Sequence, residues 1–339
     1  MVSDMNSAKK IRLTMDLFKT IGTHDGVFHC DEVLGCAMLK IISPNAKIIR
    51  TRDLTKLAPC DIVIDVGGVY DPEKFRFDHH QRDFNHSLST VIPGKLSTIK
   101  LSSAGLVYCH YGKDILKTLV KDIKQDELEK LFDRVYENFI QEIDAIDNGI
   151  PICDGEVKFH ISTNLSSRVK YLNKRWNEEE FNEENAFKNA MDMVSNEFQD
   201  RVFYYVKDWL PAREVVLQAI ENRFNVHPSG QIIELGQNCP WKGHFFELEK
   251  ELNVEQPAIK FVIFNGGGGM WRVQAVSIDE NSFILRTPLL EPWRGLSDEK
   301  LFKVSGIEGI GFVHASGFIG GNRTREGALE MAAQTLAKT

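Results

Sequence analysis

The stretch LFKTIGTHDGVFHCDEVLGCAMLKII, residues 17–42, joins a short apolar run to a longer one through a polar loop. The first run is typical of a buried strand, and the second is typical of the helix that follows it. The pair Asp25–Gly26 predicts a turn between them. Because open α/β sheets bind ligands at the carboxyl ends of their strands, this loop is a candidate site as well as a turn.

Short apolar runs and helical segments alternate after this first unit of strand and helix. The runs that predict strands or helices in the first half lie at residues 46–53, 61–68, 75–81, 102–120 and 127–146. This alternation is typical of a mainly parallel sheet with helices on both faces. Further strand-like runs at 231–236, 258–266 and 271–278 and a helical run at 325–338 predict a smaller second α/β domain.

A polar segment, residues 153–185, separates these halves, and an amphipathic helix is predicted after it, to about residue 210. We therefore predict an α/β fold in three parts. They are a first α/β domain at 17–165, a helical connector at 166–210 and a smaller C-terminal α/β domain at 211–339.

The composition is that of an ordinary folded protein, with 339 residues, 42% of them hydrophobic and 26% charged. A net charge of −7 argues against a basic shell that coats nucleic acid, but it allows a local groove or a site where metals supply positive charge. Six cysteines without a CxxC pair fit a reducing compartment. No apolar run reaches the roughly 18 residues of a membrane span.

The first 19 residues do not have the pattern of a signal peptide, so we expect an intracellular rather than a secreted protein. Their basic residues allow a short amphipathic helix, whereas Asp4 and Asp16 weaken a mitochondrial interpretation. Cytoplasm, nucleus and mitochondrion remain alternatives. Nothing in the sequence indicates an oligomeric state.

His24, His29 and Asp31 lie on the first loop, and two imidazoles with a carboxylate suit a divalent transition metal. The alternative is that Asp31 and Glu32 only favour the dipole of the next helix. Asp65 ends the apolar run DIVIDVGG and precedes two glycines, which fits either a site or a turn.

The run FRFDHHQRDF contains Asp78, His79 and His80, with Arg82 close by. In a strand the two histidines point to opposite faces, so one can bind metal while the other faces substrate. A surface polar cluster is the alternative.

Asp144 and Asp147 lie three residues apart at a predicted helix end. Acids are unfavourable there because of the helix dipole, and a metal offsets that cost. Together the four segments supply ligands for two ions, with Asp65 as the natural bridge. Mixed nitrogen and oxygen donors favour Mn²⁺ over Mg²⁺, while Zn²⁺ and Co²⁺ remain alternatives.

This order of motifs resembles the DHH phosphoesterase superfamily. Within it, the chain resembles most closely the melanocyte proliferating gene exonuclease family. The similarity spans about residues 18 to 335 and rests on GTHDGVFHCDE, DVGGVYDPEKFRFDHHQ, EIDAIDNG, LSSRVKYLNKRWN and HASGFIGGNRTREGA. It implies that 17–165 is a metal-binding catalytic domain of the DHH type and that 211–339 is a substrate-binding domain. It also implies metal-dependent phosphodiester hydrolysis, with single-stranded RNA or short oligonucleotides as substrate and a 3′–5′ exonuclease direction.

The resemblance also implies roles for individual residues. Metal ligands are expected at His24, Asp31, Asp65, His79 and either Asp147, which we prefer, or Asp144. His29 falls one residue later than an aspartate of the superfamily, so it is either a ligand or a catalytic base. His80 is expected to face the substrate, and Asp78 to orient the histidines.

The stretch GFVHASGFIGGNRTREGA, residues 311–328, resembles the superfamily's glycine-rich phosphate grip. Its glycines can expose backbone N–H groups to an anion, and a helix that starts near Thr324 offers its N-terminus. A plain turn is the alternative. The predicted substrate-binding residues are Arg82, Arg168, His314, Ser316, Gly317, Gly320, Gly321 and Arg325.

The leading hypothesis is therefore an exonuclease with two metal ions. A small-molecule phosphatase or pyrophosphatase uses the same metal chemistry and is the first alternative. The second is a non-catalytic RNA-binding protein with a relic metal site.

Overall fold

The computed structural model describes residues 16–254 and 256–339. The N-terminal segment in which the sequence allows an amphipathic helix, residues 1–15, lies outside the described residues. The described chain forms two compact units, which divide between Tyr205 and Val206. Most of the segment predicted as a helical connector, 166–210, lies in the first unit.

The sheet of the first unit has five strands in the order β2-β1-β3-β5-β4 among the described residues. The strands are β1 (Thr20–Thr23), β2 (Lys47–Arg50), β3 (Ile62–Ile64), β4 (Tyr70–Asp71) and β5 (Arg76–Phe77). All pairings are parallel except that of β4 with β5. The prediction of a mainly parallel sheet is confirmed, and β1, β3 and β5 end at the same edge.

Helices surround this sheet. They are α1 (Cys30–Ile42), α2 (Leu54–Leu57), α3 (Leu88–Val91), α4 (Ser103–Leu119), α5 (Gln125–Val135), α6 (Gln141–Asp147), α7 (Leu165–Lys170) and α8 (Glu183–Tyr204). Helix α1 packs closely on one face, since a Cβ on Gly35 would lie 2.8 Å from Ile64 Cδ1. On the other face, Leu57 of the single-turn α2 packs against Val63. Helices therefore cover the two faces of this sheet unequally.

The predicted amphipathic helix explains why the connector joins the first unit. Phe187, Val194, Phe198 and Val202 of α8 form a buried apolar face, and α8 packs against α1. Burying such a face is the main source of stability for a helix of this kind.

The second unit is the predicted smaller α/β unit, and its sheet has the order β6-β7-β8-β10-β9. Its elements are α9 (Leu210–Glu221), α10 (Arg223–Val226), β6 (Ile232–Glu234), α11 (Lys242–Glu251), β7 (Phe261–Asn265), β8 (Trp271–Ala275), α12 (Asp298–Ser305), β9 (Ile310–Val313), β10 (Ile319–Asn322) and α13 (Arg325–Lys338). Phe261 and Ile263 face one apolar core, and Val262 and Phe264 face the other. The α/β fold class is thus confirmed. Within the described part of the chain, no helix is both long enough and apolar enough for a membrane span.

Candidate metal centre

The candidate centre lies where three parallel strands of the first unit end. His24 directly follows β1, Asp65 follows β3, and His79 comes two residues after β5. The first turn of α1 brings Asp31 to the same place, and the last residue of α6 brings Asp147. The strand ends predicted from the sequence therefore converge on one cluster.

One group of possible ligands contains His24, His29, Glu32 and Asp65, whose donor atoms lie within 4.8 Å of one another. His24 Nε2 is 3.2 Å from Glu32 Oε1 and 3.3 Å from Asp65 Oδ2. The other ring nitrogen, Nδ1, lies 3.0 Å from the Asp25 carbonyl oxygen, which leaves Nε2 directed at the carboxylates. His29 completes the group from the exposed side.

The second group contains Asp31, His79 and Asp147, and Asp65 adjoins it. His79 Nε2 lies 3.1 Å from Asp147 Oδ2, 3.4 Å from Asp65 Oδ1 and 3.8 Å from Asp31 Oδ2. Asp65 therefore presents one oxygen to His24 and the other to His79. This is the geometry that a shared carboxylate between two ions needs.

The backbone of Asp65 is held in an unusual conformation. Its φ of +58° is left-handed, which is rare for a residue other than glycine. Gly67 and Gly68 continue the turn with φ values of +100° and +69°. Ser103 Oγ at the start of α4 donates a hydrogen bond to Asp65 Oδ1 at 3.0 Å. Strained residues of this kind are concentrated at functional sites.

The buried polar atoms of the cluster fit a metal better than they fit one another. Asp31 is only 1% exposed, yet neither of its carboxylate oxygens has a hydrogen-bond partner. Both ring nitrogens of His79 are also without one, so its close contacts lack hydrogen-bond geometry. A buried carboxylate without a partner is expensive, and a cation removes that cost. The four acids Glu32, Asp31, Asp65 and Asp147 match the charge of two divalent ions.

The pKa values show the same crowding of negative charge. Burial, and then the neighbouring Asp65 and Asp147, raise the pKa of Asp31 well above its ordinary value. Burial lowers the pKa of His24, but hydrogen bonds with Asp65 and Glu32 outweigh it and raise that pKa to about 10. Burial also lowers the pKa of His79, but Asp147 and Asp65 outweigh this effect and raise that pKa to about 9. The protonated imidazoles of His24 and His79 therefore supply positive charge at the positions where metal cations fit.

The adjacent histidines differ in their surroundings. His79 lies inside the cluster, whereas the side chain of His80 is 62% exposed. Asp78 Oδ1 lies 2.7 Å from His80 Nδ1, and Asp78 Oδ2 accepts the Gly68 N–H at 2.6 Å. The hydrogen bond to Asp78 raises the pKa of His80. This arrangement supports the predicted pair of an orienting acid and a histidine that faces substrate.

The structure places Asp144 outside the cluster. Its carboxylate is fully buried and accepts hydrogen bonds from the N–H and Oγ of Ser102 and from Tyr136 Oη. Of the two acids that the sequence leaves open, the structure brings Asp147 to the ligands and gives Asp144 a role in packing.

Two of the predicted substrate arginines are already paired. Arg168 forms an ion pair with Glu197, and Arg325 Nε lies 2.9 Å from both carboxylate oxygens of Glu234. Neither guanidinium is available as a free charge. Arg82 is exposed just beyond His80 and stays a prediction.

The glycines of the predicted anion nest lie in a strand and in a turn of the second unit. Gly320 and Gly321 lie inside β10, which pairs with β8 and β9. A Cβ on Gly320 would lie 2.6 Å from Met331 Cε, so β10 packs closely against α13 at this position. The Gly317 N–H is used in a turn with the His314 carbonyl. Ser316 Oγ lies 2.9 Å from His314 Nδ1, and both residues are exposed in this turn.

Glu32 is the main residue of the cluster that the sequence interpretation missed. It is fully buried, and it accepts the His29 N–H at 2.9 Å while it faces His24. A glutamate at the third helical position is a known sequence signal for a hydrogen bond back to the residue before the helix, here His29. The contact of Glu32 with His24 depends on where β1 ends in space, so no local sequence pattern indicates it.

Comparison with known proteins agrees with these motifs. A family model for MYG1 exonucleases, described as "Uncharacterised protein family (UPF0160)", matches residues 20–336. The MYG1 exonuclease of Homo sapiens is 52% identical over 94% of this chain and 86% of its own length. The MYG1 protein of Dictyostelium discoideum is 47% identical over 94% of this chain and 96% of its own.

Among solved structures, RecJ from Thermus thermophilus in complex with Mn²⁺ aligns with a TM-score of 0.24 and 11% identity. The alignment covers 94% of this chain and 52% of RecJ, so the chain spans about half of that protein. Membership follows from the family model and from the relatives that are about half identical to this chain along nearly its whole length. The chain belongs to the MYG1 exonuclease family.

Proposed function

We propose that the chain is a metal-dependent phosphodiesterase that acts as a 3′–5′ exonuclease on single-stranded RNA or short oligoribonucleotides. The observation that carries the proposal is the buried cluster in which Asp65 joins two ligand groups and Asp31 has no hydrogen-bond partner. The exonuclease names of the relatives support the nuclease class.

Two ions fit this cluster. His24, His29, Glu32 and Asp65 would hold one, and Asp65 with the second ligand group defined above would hold the other. Imidazole and carboxylate donors together favour Mn²⁺, because Mg²⁺ prefers oxygen ligands and water. When bound, such a pair generates hydroxide at neutral pH and stabilises charge on a phosphoryl group.

Side chains of the protein can supply a proton to the reaction: Asp78 orients His80, and His80 carries the proton. Gly68 holds one oxygen of Asp78, and the other oxygen fixes Nδ1 of His80. The hydrogen bond to Asp78 raises the pKa of His80, which favours the protonated ring with a proton on Nε2. His80 lines the cavity beside the cluster, where it can give that proton to the leaving oxygen.

A test uses purified protein, Mn²⁺ and RNA labelled at its 5′ end. Wild type should produce a ladder that shortens from the 3′ end. Asp147→Ala should lower the rate at least about 100-fold, because it removes a ligand. Asp144→Ala is the matched control: it should destabilise the fold by about 3 kcal/mol, since it leaves buried donors unpaired, yet its folded fraction should keep Mn²⁺ binding and cleavage.

Other outcomes select the alternatives. Immediate release of the 5′ label would contradict the direction, and faster cleavage of a DNA strand of equal sequence would contradict RNA as substrate. Rapid hydrolysis of pyrophosphate with intact RNA would favour the small-molecule enzyme. RNA binding without cleavage of any phosphoester would favour a relic site.

A further inference from the structure

A cavity of about 710 Å³ lies beside the candidate metal centre, within the first unit. This volume is typical of small-molecule sites. One side of the cavity is formed by His29, His79, His80 and Asp147 of the centre. Its remaining polar lining comes from residues to which the proposed function gives no role: Lys100, Asn148, Ser166, Ser167 and Lys170.

Lys100 and Lys170 are the positively charged residues of this remaining lining. Neither forms an ion pair with a carboxylate in the part of the chain that the structure describes. Arg50 and Arg168 of the same unit, in contrast, are neutralised, the first by Glu183 at 2.7 Å and the second by Glu197. Lys100 and Lys170 therefore bring positive charge without a carboxylate partner to a cavity whose other side holds three histidines and Asp147.

Both lysines are tied to segments that carry residues of the centre. The Lys100 carbonyl accepts a hydrogen bond at 3.0 Å from the side chain of Asn148, the residue after Asp147. Lys170 ends α7, and Asn173 just beyond it binds the N–H and the carbonyl of Phe28 at 2.9 and 2.8 Å. Their positions relative to the cluster are thus set by the fold.

We propose that Lys100 and Lys170 form a subsite for the internucleotide phosphate next to the one that is cleaved. An ammonium group suits a phosphate as a point charge. With the scissile phosphate at the metals, a single strand must present its next phosphate one nucleotide away. The subsite therefore selects oligonucleotides over compounds with one phosphate. This inference rests on the proposed function and names its substrate class more closely.

The test compares two substrates in the full-length protein. Bis(p-nitrophenyl) phosphate contains one phosphodiester and no neighbouring phosphate, whereas a short oligoribonucleotide contains several. A Lys100→Ala/Lys170→Ala variant should raise KM for the oligonucleotide at least about 10-fold, because two phosphate contacts are lost. Its rate on the small diester should stay within about twofold of wild type, since the metal ligands are untouched.

Lys174→Ala is the matched control, because this exposed lysine lies on the same segment but does not line the cavity. It should leave both substrates unchanged. A parallel measurement of fluorescence anisotropy with the labelled oligonucleotide should show the same loss of affinity, and the loss should shrink as salt increases.

An unchanged KM and affinity for the oligonucleotide would overturn the subsite. An equal loss on both substrates would also overturn it, because the lysines would then support the metal centre itself. Failure of the proposed function has a different signature: wild type would cleave neither substrate with Mn²⁺. In that case anisotropy still decides, since equal binding by wild type and the double variant would refute the subsite.

Discussion

Asp31 lies in the first turn of α1, and its carboxylate is buried without a hydrogen bond. The pKa of this acid is raised by burial and by the nearby Asp65 and Asp147. A buried acid with a raised pKa costs stability at every pH above its unfolded value. The metal-free protein bears that cost, and a cation in the cluster would remove it.

Replacing Asp31 by Asn should therefore separate stability from function. We expect Asp31→Asn to raise the free energy of unfolding of the metal-free protein by about 1 kcal/mol, because the amide is neutral and can donate to the neighbouring carboxylates. Urea denaturation in EDTA measures this gain. Stabilisation by Mn²⁺ should disappear in the same variant, since a ligand is lost.

Asp83→Asn is the control, because Asp83 is exposed and outside the ligand groups. It should change neither stability nor the response to Mn²⁺. A lower stability of metal-free Asp31→Asn than of wild type would contradict the view that this carboxylate is kept for the metal.

For Asp144 and Asp147, the sequence pattern predicts the location of the site but not which acid belongs to it. Their spacing and the following Asn148–Gly149 turn predict a site at the end of a helix, and α6 does end at Asp147. The choice between the two acids depends on Ser102 and Tyr136, which bind Asp144 from other segments. No local pattern contains that information.

At the scale of elements, α4 and α6 pack together at Gly105. A Cβ at this position would lie 2.3 Å from Asp144 Oδ1. The absence of a side chain lets the buried carboxylate reach Ser102 at the start of α4, and Asp147 ends the helix α6 that packs here.

Gly105→Ala should consequently lower the free energy of unfolding by about 2 kcal/mol, because overpacking forces the two helices apart. Mn²⁺ affinity should fall with it, as Asp147 shifts with α6. Thermal unfolding and a metal titration measure both effects. Gly155→Ala is the control, since nothing lies within 4 Å of a Cβ there; equal effects of the two changes would refute this account.

The strand β10 is an element whose backbone pairing the local sequence pattern does not reveal. A glycine-rich stretch before a helix is a common pattern for anion binding, and α13 does begin after Thr324 as predicted. The backbone groups of Gly320 and Gly321 are instead taken up by pairing with β8 and β9. Strand pairing depends on residues distant in sequence, so the local pattern did not reveal it.

For the whole molecule, pH should affect the metal-free and metal-bound forms in opposite directions. Folding raises the pKa of His24 to about 10 and that of His79 to about 9, from ordinary values of 6.5. Their contribution to stability is therefore fully present below pH 6.5 and is lost as pH rises towards 9 to 10. A metal, in contrast, must displace these protons, so its binding strengthens as pH rises.

We expect the unfolding temperature in EDTA to fall by about 5 °C between pH 6.5 and 8.5, while the increase on adding Mn²⁺ grows over the same range. Differential scanning calorimetry under anaerobic conditions measures both. Asp65→Asn, which removes one carboxylate that faces both histidines, should weaken the two trends. A Mn²⁺ effect that shrinks with rising pH would contradict the assignment of these imidazoles as ligands.

The sequence by itself determined the α/β class, the mainly parallel first sheet, the smaller second unit and the strand ends that carry His24, Asp65 and His79. These features follow from apolar periodicity and turn residues, which act between near neighbours in the chain. Tertiary structure alone decided that Glu32 faces His24, that Asp144 is a packing residue and that Glu234 neutralises Arg325, 91 residues away. Charge pairing and burial depend on distance in space, and the fold sets that distance between residues far apart in sequence.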